Sequence, residues 1–232
     1  MRQLERNYIF EFAGMPQSGK TSVRETLAHY LKRMEYPLVE FNGGSRHSRF
    51  PINRMPIGEL NEKLAYNIES FVRSIGEKQD LDHNIYLLDR GLIDRCIFTD
   101  ALVQDNKVSP KQAEKLYAIL TMPELLEKLD GVFIFVTSPE TALDREYASK
   151  LVKRKDVRSQ GDVMNEHFLR QMRLAAEEWF NKINRRSIGH VRQVELMDTT
   201  SRNTDMQKVA RDVFDKISVW HPELELQLTS AR

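Results

Sequence analysis

Five short apolar runs punctuate the chain: Tyr8–Phe12, Leu38–Phe41, Ile85–Leu88, Val132–Val136 and Val194–Met197. Helical periodicity separates each run from the next. Strands covered on one face alternate apolar and polar residues, whereas strands covered on both faces read as continuous apolar runs, as these mostly do. The pattern predicts an α/β fold, a three-layer sandwich with a five-stranded parallel sheet between helices. The first helix is expected over Ser22–Met34, where Val23, Leu27, Tyr30, Leu31 and Met34 share a face. Ser109-Pro110-Lys111-Gln112 has the form of a capping box with proline at the first helical position. Ser138-Pro139-Glu140 repeats the serine-proline start and puts Glu140 where a helix dipole favours an acid. Met206, Val209, Ala210, Val213, Phe214 and Ile217 form a last apolar stripe that should close over the sheet.

Two polar stretches, Asn42–Pro56 and Lys150–Asp162, carry no period. The first leaves the carboxyl end of a strand, where the ligand crevice of a doubly wound sheet lies. The second sits between two helices, as a lid would. No internal repeat or low-complexity tract interrupts the pattern, so residues 1–232 are expected to form one domain with a short lid.

The first strand hands over to the first helix through Gly14-Met15-Pro16-Gln17-Ser18-Gly19-Lys20-Thr21. Glycine, four free residues, then glycine-lysine-threonine is the P-loop pattern, here in its proper strand-to-helix setting. Gly14 and Gly19 permit backbone angles that let successive N–H groups curl around a phosphate. The helix start aims its positive end at the same anion. Gln17, Ser18 and Ser22 lie in or beside that cradle, Lys20 is placed to neutralise phosphate oxygens, and the Thr21 hydroxyl is a magnesium ligand candidate.

Composition narrows the partners. Lys+Arg 35 against Asp+Glu 34 leaves almost no net charge, which argues against a surface built for nucleic acid or an anionic membrane. Any anion site is then a local cluster. The single cysteine, Cys96, rules out an internal disulfide and suits a reducing cytoplasm as a small core residue. Neither a signal-type h-region nor a bilayer-spanning run is present, so a soluble, cytoplasmic protein is expected.

The third apolar run ends in Asp89-Arg90. An aspartate at a strand tip beside a P-loop is placed to hold magnesium, usually through water, and Arg90 to clamp a phosphate in two-pronged fashion. Asp94-Arg95 follow on the next helix, and Arg95 is a further acceptor-side candidate. Phosphoryl transfer needs positive charge around the migrating group, and Met15, Pro16, Gln17 and Ser18 supply none. Arg154 or Arg158 on a closing lid would do so. Beyond the second strand, Arg46, His47, Arg49 and Arg54 flank Phe50 and Pro51, a setting for an anionic, ring-bearing acceptor. Glu40 at that strand's end is a candidate to take a proton from an acceptor hydroxyl. Solvated loops of basic residues are the plain alternative for these clusters.

Together these residues resemble the P-loop nucleoside and nucleotide kinases, closest to the thymidylate kinase and deoxynucleoside kinase branch. The resemblance rests on Gly14–Ser22, Asp89-Arg90, the run Val136–Arg145, the lid arginines and Met197-Asp198-Thr199-Thr200-Ser201. It implies ATP with magnesium, γ-phosphoryl transfer to a nucleoside or nucleoside monophosphate, adenine packed near Thr199, and in many members a homodimer. The stretch Asp89–Phe98 is similar to the acid-arginine-serine segment of deoxynucleoside kinases but one residue shorter. Two acceptor-side departures stand out: Pro16 replaces the acid that thymidylate kinases carry in the P-loop, and Glu40-Phe41-Asn42-Gly43-Gly44 lacks their arginine-glutamate-proline register.

The arginine-rich loop tilts the expectation toward a monophosphate acceptor, with a deoxynucleoside, a polynucleotide end or another small acceptor as alternatives. A GTPase would need an asparagine-lysine-x-aspartate segment, and Asn181-Lys182-Ile183-Asn184 lacks the aspartate. A bare nucleotide-binding module would not need Lys20, Thr21 and Asp89 together.

Overall fold

The computed structural model describes residues 2–43, 55–75, 83–153, 163–188, 190–201 and 204–224, with 150–153 described as backbone only. The five apolar runs are strands β1 (Tyr8–Gly14), β2 (Leu38–Asn42), β3 (Ile85–Asp89), β4 (Gly131–Val136) and β5 (Val194–Asp198). All pair in parallel, in the order β2-β3-β1-β4-β5. Position in the sheet explains the sequence pattern: β1 and β4 are buried along their whole length, whereas the edge strands β2 and β5 are only half covered. Each strand extends to or past the end of its apolar run, because ladder hydrogen bonds continue into Gly14, Asn42, Asp89 and Asp198.

Side chains of β1 alternate between two cores. Tyr8, Phe10 and Phe12 join Phe133 and Phe135 under α1 (Lys20–Arg33) and α8 (Met206–Trp220). The expected C-terminal stripe contributes Val209, Ala210, Val213, Phe214 and Ile217 there. Ile9 and Ala13 face the other way with Leu88, Ile134 and Val136, beneath α3 (Leu92–Gln104) and α7 (Glu166–Asn184). The first helix starts two residues earlier than its apolar stripe, since Lys20 and Thr21 already form its opening turn.

The second core also collects α2 (Ile57–Ser74), α4 (Pro110–Leu120) and the short α5 (Pro123–Leu126). Ser109 and Gln112 form the expected capping box at α4. Cys96 is fully buried in this core, and burial pushes its thiol well above the ordinary range. α6 (Pro139–Lys153) begins at the second serine-proline and runs on to Lys153, so the first four residues of the expected lid are helical. Among the described residues no helix is long and apolar enough to cross a membrane.

Adjacent strands β1 and β3 send their following helices to opposite faces, α1 to one core and α3 to the other. Such a switch leaves a crevice at the strands' carboxyl ends. Gly14 and Asp89, the terminal residues of those strands, stand at its floor.

Candidate active site

Gly14 ends β1 at φ +109°, and a Cβ there would lie 2.2 Å from the Phe135 carbonyl oxygen of β4. Only glycine lets the chain leave the sheet so close to a neighbouring strand. Gln17 and Gly19 also take positive φ, closing the loop onto the start of α1. No side chain caps that helix and no acid occupies its first turn, which leaves the opening N–H groups for an anion. Ser18 holds the loop from within, its hydroxyl donating to the Met15 carbonyl at 2.7 Å.

Lys20 folds into the loop, with Nζ donating to the Gly14 carbonyl at 2.9 Å. Burial, with nearby Arg90, lowers its ammonium pKa to about 7. Beside it the Thr21 hydroxyl donates to Asp89 Oδ2 at 2.8 Å. Asp89 Oδ1 is buried without a hydrogen-bond partner among the described residues. Paired hard oxygens, one still unfilled, suit magnesium, which commonly takes only one or two protein ligands beside substrate phosphates. Among the described residues no cluster of three or more histidines, cysteines or acids competes as a metal centre.

A second network joins β1 to α3. Glu11 is the one polar residue between Tyr8 and Gly14, and its carboxylate accepts the N–H groups of Ile93 and Asp94 at 3.2 and 2.7 Å. Burial pushes its pKa up to about 7 despite those bonds. Asp94 accepts the Gly14 N–H at 2.9 Å and pairs with Arg95 at 2.7 Å and Arg90 at 3.6 Å. Burial opposes its charge, but Arg90, Arg95 and Lys20 together hold its carboxyl below the usual range. The P-loop is therefore tied directly to α3, the helix that carries Arg95.

The loop is braced from the other side by Arg145, a residue the family-like run Val136–Arg145 contains but to which sequence reasoning gave no role. Its guanidinium donates to the carbonyls of Gln17 at 3.1 Å, Thr199 at 2.8 Å and Ser201 at 3.2 Å. The neighbouring Glu146 accepts a hydrogen bond from the Gln17 side-chain amide. Thus α6 grips the middle of the loop through two consecutive residues.

These elements enclose a cleft of about 700 Å³. One end is walled by Pro16–Ser22, Arg145, Glu146, Thr204 and Met206; the other by Asn42, Ile57, Leu60, Asn61, Leu64, Arg95 and Phe98. Asp89 and Arg90 also line it. Gln17, Ser18, Gly19, Lys20, Thr21, Ser22, Asp89, Arg90 and Arg95 are brought together at this one cleft, with Gly14 directly behind.

Two expectations are corrected. Thr199 does not face the cleft: its N–H extends the β4–β5 ladder to the Val136 carbonyl at 2.9 Å, which turns its hydroxyl under the P-loop to donate to Ser18 at 2.9 Å. Thr204 and Met206 stand at the cleft instead. Glu40 points toward α1, where it pairs with Arg24 and, at 2.6 Å, with Lys32, so it does not line the cleft. Partial burial opposes its charge, yet those cations hold its carboxyl below the ordinary range. Arg46, Arg49, Arg154 and Arg158 lie outside the described residues.

Sequence reasoning also left out Asn61, Glu11 and Arg24. The last is a buried arginine on α1 whose Nε lies 3.8 Å from Asp89. Glu11 had a visible signal, an acid inside an apolar run; Asn61 had none.

No protein-family model matches the chain, and no curated protein sequence does. Among solved structures, deoxyadenosine kinase from M. mycoides with bound dATP is similar at a TM-score of 0.59 and 16% identity, over 91% of this chain and 100% of that one. The same kinase with the products dCMP and a flexible dCDP gives 0.58 and 12%, over 91% and 99%. At such identities the likeness establishes a shared fold: a five-stranded parallel sheet flanked by helices.

Proposed function

We propose that this protein is a P-loop kinase that transfers the γ-phosphoryl group of ATP to a deoxynucleoside. The observation that carries the reading is the cleft itself, in which a phosphate-binding loop and the Thr21–Asp89 pair open onto a largely apolar slot between α2 and α3. The fold shared with deoxyadenosine kinase supports a nucleoside acceptor over the monophosphate expected from the arginine-rich loop.

Thr21 and Asp89 would hold magnesium, which supplies charge neutralisation between the donor phosphates when bound. The loop N–H groups and the helix start bind the donor phosphates. Lys20 shifts from the Gly14 carbonyl to the phosphoryl oxygens, and Arg90, which lines the same cleft, adds positive charge near it. A hydroxyl acceptor needs a carboxylate to take its proton. With Asp89 committed to the metal, Glu25 and Glu146 line the cleft and are the candidates, whereas Glu40 does not line it.

A monophosphate acceptor is the second reading, favoured by Arg90 and Arg95 on the acceptor side. An ATP-consumption screen with magnesium across nucleosides and nucleoside monophosphates decides between them. Turnover with a deoxynucleoside supports the proposal. Turnover with monophosphates alone transfers it to the second reading, and no turnover with either sinks both.

A further inference from the structure

β5 ends the sheet, and among the described residues no strand pairs with its outer edge. The Val132 N–H reaches the Gln193 carbonyl at 3.0 Å, and the Thr199 N–H reaches the Val136 carbonyl at 2.9 Å. Bonding to a parallel neighbour alternates along a strand, so the odd-numbered residues of this stretch give their backbone groups to β4. Val194, Leu196 and Asp198 turn theirs away from the sheet, an open ladder to which another chain can pair. Along β5 runs a groove of about 410 Å³, walled by Glu195 to Asp198 and by one stripe of α8: Asp212, Asp215, Lys216 and Val219. Val219 is 77% exposed, on the same helix as the buried C-terminal stripe. The charge of the groove is one-sided. Lys216 is committed to Glu195 at 3.0 Å and Asp198 to Arg173 at 2.9 Å, whereas Asp212 and Asp215 have no charged partner among the described residues.

We propose that this edge is a docking site for an extended, basic polypeptide segment of a partner protein, which adds to β5 as a sixth strand. The geometry sets the pattern of that segment. α8 returns antiparallel to β5, since it starts beside the cleft at Met206 and carries Lys216 back to Glu195. Val219, Asp215 and Asp212 therefore follow one another along the direction of β5, about 6 and 4.5 Å apart on the helix axis. Alternate residues of a strand are about 6.6 Å apart, so one apolar and two basic side chains at alternate positions match that row. A second copy of this chain fits poorly. Two-fold pairing of β5 with itself would bring Glu195, Asp198, Asp212 and Asp215 toward the same acids of the other copy. The acids that keep copies apart leave the edge open to a chain of opposite sign. None of the wall residues of this groove lines the cleft, so the proposal stands apart from the kinase reading.

The probe is a capped peptide of about seven residues, a common strand length, with one valine and two lysines at alternate positions and threonines between them. It is made in both chain directions and added to the full chain at low salt. Fluorescence anisotropy should show saturable binding of at least one direction, and none once glutamates replace the lysines. A strand pairs through one edge at a time, so methylating the peptide's backbone nitrogens in one alternate set should abolish binding and in the other should spare it. The Leu196 N–H should exchange more slowly in the complex. Asp212→Asn combined with Asp215→Asn, both at exposed positions, should weaken binding about tenfold. Absence of saturable binding, equal binding of the glutamate peptide, or the same response to methylating either set would overturn the proposal. An unprotected Leu196 N–H or an unchanged affinity in the double variant would do so too. A dimer in sedimentation that Val219→Lys dissolves would give the edge to a second copy and also overturn it.

Discussion

The two ends of the cleft are built in opposite ways. The proposed donor end centres on one continuous stretch, Gly14–Thr21, bent by glycine angles, held by its own carbonyls and hydroxyls and braced from outside by Asp94, Arg145 and Thr199. The acceptor end is assembled across the chain: Asn61 and Leu64 from α2 meet Arg95 and Phe98 from α3. Local backbone geometry shapes the first, and packing of distant helices shapes the second. On the proposed reading, the first end needs only the loop itself, whereas the second depends on how two helices sit against each other.

The sharpest way to test the donor end is to remove its charge. Lys20→Ala should cut turnover by about a thousandfold while leaving the far-ultraviolet circular dichroism unchanged. Near-wild-type turnover would break the assignment of the loop as catalytic. Gly14→Ala attacks the same end through the backbone, forcing a Cβ to 2.2 Å from a carbonyl oxygen at φ +109°. A loss of about 3 kcal/mol in urea denaturation is expected, and a loss below about 1 kcal/mol would mean that β4 yields easily.

Glu11 joins the two ends, since it lies on β1 and receives the first N–H groups of α3. Its pKa, raised to about 7, penalises the charged form in the folded state. The stability it contributes is therefore complete below its unfolded value of 4.5 and is lost as the pH rises through about 7. That difference amounts to roughly 3 kcal/mol at about 1.4 kcal/mol per unit. Glu11→Gln should flatten the stability profile across this window; an unchanged profile would assign the slope to other groups. The smallest effect belongs to the acceptor wall. Leu64→Ala should raise the acceptor KM about tenfold and leave the KM for ATP within about twofold. Equal changes in both constants would show that the ends are not separable.

The same contrast explains what the sequence reveals. Strand positions were legible within a residue or two because burial on both faces leaves a continuous apolar run, as in Tyr8–Phe12. The glycine-bent turn between β1 and α1 was legible because its geometry is local. Thr199 was misread because its role depends on a ladder bond to Val136 and a carbonyl of Ser18, 181 positions away. Glu40 was misread because the charges that capture it, Arg24 and Lys32, lie on the preceding helix rather than beside it in sequence. Asn61 looks like any helical asparagine until α3 brings Thr99 and Arg95 against it.

Cys96 gives the molecule a built-in clock. Its thiol is the only one in the chain, lies wholly inside the α3 core and ionises with difficulty. An alkylating reagent can reach it only during openings that expose the packing between sheet and helix. The labelling rate, read against reagent concentration, would therefore count those openings one molecule at a time, with no probe to engineer. Slowing of that count by a nucleoside, but not by ATP alone, would show acceptor binding stiffening the wall from which α3 reaches into the cleft.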